Sequence, residues 1–222
     1  MKVVSLVSQK GGVGKTTLAT ALAVAAHQDG KQVFIVDLDP QASASFWMDT
    51  RQDGALAVTA VPAARLSHVL EAARQAGADI AFVDTPPFAK DIAFEAAQYA
   101  DLVLIPTRPA VLDVMAMTRT IDLIKAFAKP AAVVLTFCPP AGKEIDDTEA
   151  AVGTLAAELC PVRIGQRIAF SRAQQTGQAA QEIEPQGKAA AEILNLYRYT
   201  LRHLYTKEIP DEQAPQRHAG RA

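Results

Sequence analysis

The sequence predicts an α/β protein, a three-layer sandwich in which helices cover both faces of a mostly parallel sheet. Three observations carry that expectation. Short apolar runs alternate with longer amphipathic segments, a glycine-rich loop joins the first run to the first long segment, and aspartates close two later runs. The runs Val3 to Val7, Val33 to Val36, Ile80 to Val83, Leu102 to Ile105 and Ala132 to Leu135 contain no charge, as strands buried on both faces require. Between them, helices are expected around Thr16 to Gln28, Ala64 to Gln75, Ile92 to Tyr99 and Val114 to Ala128.

The remaining elements follow in order. Val58 to Val61 reads as an edge strand, because Pro62 follows it and cannot donate to a ladder. Asp147 to Leu159 reads as a helix and Val162 to Ile164 as a last strand. From Gly187 to Lys207, Ile193, Leu194, Tyr197, Leu201, Leu204 and Tyr205 recur at helical spacing, so one face docks on the core and Arg198, Arg202 and Lys207 stay in water. After Ile209 the composition turns to Pro, Asp, Glu, Gln, Arg, Gly and Ala. Residues 1–208 are thus expected to form one domain and 209–222 a disordered polar tail.

Composition agrees. With 222 residues, half of them hydrophobic, the chain can bury one sizeable core. It has no apolar run of eighteen residues and no signal pattern, so the expectation is a soluble, cytoplasmic protein without a membrane partner. Cys138 and Cys160 are far apart and read as small buried residues, and His27, His68, His203 and His218 lack metal-site spacing. The net charge of −2 is uneven. Residues 1–162 carry 13 basic and 18 acidic side chains, residues 163–222 carry 9 and 6, so a polyanion would meet the C-terminal part.

The glycine loop is Gln9-Lys10-Gly11-Gly12-Val13-Gly14-Lys15-Thr16-Thr17. Its glycines let backbone N–H groups converge on an anion, and a helix starting near Lys15 adds the positive end of its dipole. Lys15 is placed to reach β- and γ-phosphates and Thr16 to offer its hydroxyl to Mg²⁺. The ordinary phosphate loop has glycine where Gln9 stands, and Lys10 follows at the loop entrance. A dinucleotide fingerprint shares Gly12-Val13-Gly14, but Thr17 occupies its third glycine position and Lys15-Thr16 has no role in it.

Two acidic stretches complete the pattern. Asp37-Leu38-Asp39-Pro40-Gln41 closes the second run and Asp84-Thr85-Pro86-Pro87 the third. In a parallel sheet both fall on the edge that carries the glycine loop, where carboxylates can serve Mg²⁺ or an attacking water.

Together with Lys10-Gly11-Gly12-Val13-Gly14-Lys15-Thr16-Thr17, these stretches resemble the deviant Walker ATPases of the ParA/MinD superfamily, a P-loop NTPase fold. Pro106-Thr107-Arg108-Pro109, followed by Asp113, resembles the proline segment that lines the adenine pocket in ParA proteins. With the chain opening at its first strand, the likeness is to the small ParA type represented by ParF. The resemblance implies ATP and Mg²⁺ as cofactors, bound by Gly11, Gly12, Val13, Gly14, Lys15, Thr16 and Thr17, with Pro106, Thr107 and Pro109 at the base. It implies that Lys10 crosses an ATP-sandwich homodimer to the partner's phosphates and that Asp39 helps place the attacking water. Thr16, Asp37 and Asp84 serve the metal, Asp84 as the Walker B acid. It also implies slow ATP hydrolysis, nonspecific DNA binding by the dimer, nucleoid association and release by a ParB-like adaptor. Arg167, Arg172, Lys188, Arg198 and Arg202 are the candidate DNA contacts. Thr136-Phe137-Cys138-Pro139-Pro140 departs from the polar base-reading residue of many relatives.

The expected function is therefore ATP-dependent partition of plasmid or chromosomal DNA. The same ATPase could instead position a carboxysome or chemoreceptor cluster. A different class, an ATP-dependent ligase of the dethiobiotin synthetase type, shares the fold and has no need of Lys10. A MinD-type membrane anchor is not matched by a tail containing Pro210 and Pro215, and the cysteines do not match a nitrogenase iron-protein-like cluster site.

Overall fold

A computed structural model describes residues 1–51, 53–155 and 157–205. Lys207 and the tail 209–222 lie outside the described residues. Strands β1 (Lys2–Leu6), β2 (Val33–Asp37), β3 (Ala57–Ala60), β4 (Ile80–Asp84), β5 (Leu102–Thr107), β6 (Ala131–Leu135) and β7 (Glu158–Leu159) form one sheet in the order β3-β2-β4-β1-β5-β6-β7. Every pairing is parallel. The helices are α1 (Lys15–Gln28), α2 (Ser43–Thr50), α3 (Leu66–Gln75), α4 (Lys90–Tyr99), α5 (Val111–Ile124), α6 (Lys143–Val152), α7 (Ile168–Gln175), α8 (Ala180–Ile183) and α9 (Lys188–Tyr205).

Side-chain alternation sorts these helices into two layers. Val4, Leu6, Ile35, Phe82, Leu104 and Val134 point to the face covered by α1, α2 and α9. Val3, Val36, Ala81, Val83, Ile105 and Val133 point to the face covered by α3 to α6. Because both faces are covered, the central strands carry no polar alternation. α1 is buried from Leu18 to Ala26 with almost no polar side, since it is pressed between the sheet and α9. Its alanines allow that close approach, and the Tyr197 hydroxyl of α9 donates to Asp29 at the end of α1 (2.9 Å).

β1 is central, with β4 on one side and β5 on the other, so its C-terminal loop opens where the chain changes direction across the sheet. Register places Asp84 beside both Leu6 and Asp37. The glycine loop and the two acidic stretches thus share one edge.

The expected strands up to β6, the first four expected helices and the helix expected from Gly187, found as α9, are present, and residues 143–164 depart from expectation. The helix expected over Asp147 to Leu159 runs earlier, Lys143–Val152, with Glu144 and Asp146 in the first turn favouring the positive helix end. Glu158–Leu159 instead pairs with β6 as a short strand. Val162 to Ile164 forms no named strand; Ile164 N–H donates to the Leu135 carbonyl, and Gly165 makes an isolated bridge to Cys138.

Candidate active site

The loop after β1 turns on two glycines with positive φ, Gly12 (69°) and Gly14 (91°), conformations that a side chain would strain. Gly14 caps α1, whose first N–H groups are left for an anion. Val13 is buried beneath the loop, and its carbonyl accepts from the Thr136 hydroxyl (2.9 Å), which ties the loop to β6. On the other side Phe88 N–H donates to the Gln9 carbonyl (3.2 Å).

The two loop lysines have different surroundings. Lys15 is buried, and its ammonium donates to the Lys10 carbonyl at 3.2 Å. Burial lowers its pKa, while the Asp84 and Asp39 carboxylates act to raise it. Lys10 is half-buried, and its ammonium makes no hydrogen bond or ion pair among the described residues.

The three aspartates also differ. Asp37, buried at the end of β2, accepts at Oδ1 from Asp39 N–H (3.0 Å). Its Oδ2 accepts from the N–H groups of Ala44 and Ser45 (both 3.0 Å) and from the Ser45 hydroxyl (3.3 Å). Its carboxylate thereby caps α2 and shapes the loop that carries Asp39. Asp39 is half-exposed and turns the chain through Gln41 N–H to Oδ1 (2.9 Å).

Asp84 has no such support. Both of its oxygens are buried without a hydrogen-bond partner. Burial pushes its pKa up to about 7; Thr16 and Lys15 pull it down, Asp37 and Asp39 raise it. The Thr16 hydroxyl faces Asp84 without completing a hydrogen bond of ordinary geometry, so the carboxylate stays orphaned. An orphaned carboxylate opposite a threonine at a phosphate loop fits a hydrated Mg²⁺.

A raised carboxylate pKa makes the nucleotide-free protein less stable as pH rises. At low pH both folded and unfolded chains are protonated; from about pH 4 the unfolded chain ionises first, and above about 7 the cost of the buried charge is complete. Asp84→Asn is therefore expected to stabilise the nucleotide-free protein by on the order of 1–4 kcal/mol at pH 8 and by less at pH 5. Thermal unfolding at the two pH values checks this; an Asp84→Asn gain that does not grow with pH contradicts it.

Two cavities adjoin the loop. One, about 440 Å³, is lined by the glycine loop, Lys15, Thr16 and Thr17 together with Asp39, Gln41, Ser43, Pro87 and Phe137. The other, about 670 Å³, lies beside Gly14, Thr17 and Leu18 and is walled by Thr136, Phe137, Ile164 to Ile168, Phe170, Ser171 and Gln174. The first has the groups for a phosphate chain, and the second is mainly apolar and large enough for a nucleoside.

The structure thus brings together Lys10, Gly11 to Thr17, Asp37, Asp39 and Asp84. Pro106, Thr107 and Pro109 fall elsewhere: all three are buried, and none lines either cavity. Thr107 turns its hydroxyl onto the Ile105 carbonyl (3.2 Å). Arg167, a candidate DNA contact, lines the apolar cavity and is held by Glu192. Arg172, Lys188, Arg198 and Arg202 are exposed. Sequence reasoning missed α2 and the cavity wall from Ile164 to Gln174; Ala44 and Trp47, three apart and both buried, were the available signal for α2.

Left-handed backbone gathers at this edge. Among the described residues, Ala42, Phe88 and Phe137, non-glycine residues with φ of 52–58°, stand in the loops after β2, β4 and β6. Such strain clusters at binding sites and the segments that move around them.

Comparison with known proteins agrees with this geometry. Residues 4–180 match the CobQ/CobB/MinD/ParA nucleotide binding domain. The chain is 30% identical over 198 residues to maintenance of carboxysome distribution protein A of Halothiobacillus neapolitanus, covering 84% of this chain and 89% of that one. It is equally identical over 206 residues to protein ParA of Rhizobium radiobacter, covering 88% and 92%. Identity reaches 40% with the carboxysome distribution protein A of Gloeobacter kilaueensis, over 54% of this chain and only 55% of that protein. In fold it is similar to the septum site-determining protein MinD of Pyrococcus horikoshii, solved with Mg-ADP, with TM-score 0.74, 19% identity and coverage of 90% and 95%. With the family match spanning most of the chain and the phosphate loop and its acids on one sheet edge, the chain is an ATPase of the CobQ/CobB/MinD/ParA nucleotide-binding family.

Proposed function

We propose that the protein is a positioning ATPase that partitions DNA. In this reading, two copies pair across the nucleotide edge with Mg-ATP between them, bind DNA without sequence preference, and separate when an adaptor of the ParB kind stimulates hydrolysis. The observation that carries it is Lys10. Lys15 turns inward to its own loop, whereas the Lys10 ammonium makes no hydrogen bond or ion pair among the described residues and stands at the loop entrance, available to the phosphates of a facing copy.

Further features support pairing at this edge. Phe88, Val111, Leu112, Phe137 and Ile168 are exposed large apolar side chains in the loops after β4 and β6 and the first turns of α5 and α7. Thr16 and Asp84 would hold Mg²⁺, Asp84 through water, and the ion would neutralise phosphate charge. Asp39 orients the attacking water, and Asp37 serves the metal shell at one remove, by fixing the Asp39 loop. The apolar cavity takes the base, which Phe137 and Ile168 enclose by shape in place of a polar reader.

The same ATPase carrying a protein cargo is the second reading, supported by the equal identities to a ParA and a carboxysome distribution protein. A protein of net charge −2 holds a polyanion only through a local patch; the exposed Arg172, Lys188, Arg198 and Arg202 are the candidates for it, and pairing doubles their number. Binding to random-sequence duplex DNA is expected only with ATP and Mg²⁺. The affinity should fall steeply with salt, by about 0.9 in the log–log slope for each phosphate neutralised. Nucleotide-free protein that binds DNA as well as the ATP form contradicts this reading. ATP turnover altered by a carboxylated metabolite instead of DNA would favour the ligase class.

A further inference from the structure

The segment that carries Asp39 is held at both ends. Its near end is fixed by the Asp37 carboxylate, which caps α2 and accepts from Asp39 N–H. Asp39, Gln41 and Ser43 then line the phosphate cavity. α2 runs eight residues away from the nucleotide edge, about 12 Å at 1.5 Å per residue, and its C-terminal cap is Arg51.

Arg51 is an unusual residue to find buried. Its side chain is 5% exposed. Nη1 donates to the Gly177 carbonyl (3.1 Å) and to Glu182 Oε2 (2.9 Å), Nη2 to Glu182 Oε1 (2.6 Å) and Nε to Asp53 Oδ1 (2.8 Å). The guanidinium also lies 5.3 Å from the Trp47 ring centre, and the fully buried Trp47 donates its indole N–H to the Gln178 carbonyl (3.0 Å). Glu182 in turn accepts from Ala179 N–H (2.7 Å), so the seat is built into the α7–α8 turn. That seat admits no side chain at Gly177, whose φ is +64° and where a Cβ would lie 2.4 Å from Arg51 N.

A buried ion pair of this kind stabilises no better than apolar residues of similar volume, because both charges lose their water. What a bidentate, fully hydrogen-bonded guanidinium supplies is a single register. We propose that Arg51 is a positioning residue for hydrolysis: seated on Glu182 and Gly177, it fixes the axial position of α2 and through α2 the Asp39 carboxylate. This rests on the hydrolytic role given above to Asp39. Misplacement of a reacting group by about 1 Å costs roughly 100-fold in rate while leaving phosphate binding by the glycine loop untouched.

The test is steady-state ATP turnover with Mg²⁺, beside a binding titration with a fluorescent ATP analogue, on Arg51→Met, Arg51→Lys and Glu182→Gln. The expected result is a fall in kcat of roughly tenfold or more. KM and Kd should stay within about twofold of the parent. Arg51→Lys, which keeps the charge and loses the fork, should retain more turnover than Arg51→Met. If Arg51→Met fails to fold, the two volume-conserving variants give the answer. A lowered melting temperature with parental kcat well below it, or a raised KM with parental kcat, overturns the positioning role. Asp39→Ala, measured in parallel, separates the two ideas: parental turnover there removes the function on which this role rests.

Discussion

Lys15→Ala is expected to lose nucleotide binding. Its ammonium is a buried cation at the mouth of α1, and it is held in reach of the phosphate cavity by its bond to the Lys10 carbonyl (3.2 Å). A triphosphate that enters this cavity replaces that neutral acceptor with charged oxygens, in a setting where charge is poorly screened by water. Removing such a contact costs about 3 kcal/mol or more, which is roughly 100-fold or more in affinity. Burial acts against the charge on Lys15 while Asp84 and Asp39 sustain it, so the alanine variant also takes the lysine's counter-charge away from those carboxylates. Titration calorimetry with ATP and Mg²⁺ checks this. Asp39→Ala is the contrast: its carboxylate contacts the loop and not the P-loop lysine, so binding should survive while turnover fails. Parental ATP affinity in Lys15→Ala would contradict the site assignment.

Much of this site was legible in the sequence because its logic is local. Gly12 and Gly14 mark positive φ, Lys15 and Thr16 follow at a strand-to-helix junction, and Asp37 and Asp84 each close an apolar run. A parallel sheet brings strand C-termini to one edge whatever the strand order, so their meeting needed no knowledge of topology. What the sequence could not show depends on contacts across long separations. The apolar cavity is walled by Ile164 to Gln174, a segment that long-range bonds such as the pairing of Gly165 with Cys138 bring beside Gly14. The division of labour between the aspartates was equally hidden: Asp37 and Asp84 look alike at strand ends, yet one is saturated by the backbone of α2 and the other is orphaned. Nothing in the local sequence marks Arg51, because its partners Gly177 and Glu182 stand 126 and 131 residues away.

Lys10→Ala is the second large effect. The side chain precedes the loop, and with its ammonium making no hydrogen bond or ion pair among the described residues, its loss removes no polar contact found there. Monomeric ATP binding should therefore persist, since Lys15 and the glycine-loop amides remain. Hydrolysis should fall by a large factor, because a cation delivered from a facing subunit to a transferring phosphoryl group is worth about 10³–10⁵ in rate in related chemistry. Lysine suits this role, since its flexible stem reaches across an interface. A merely solvated lysine predicts no change in either quantity.

The most direct test of the account is sedimentation velocity of the parent and of Lys10→Ala, each with ATP and Mg²⁺ and without nucleotide. The account predicts a dimer only for the parent with ATP, and a monomer for Lys10→Ala under the same conditions despite bound nucleotide. A Lys10→Ala protein that dimerises with ATP as the parent does, or a parent that stays monomeric with ATP bound, would contradict it.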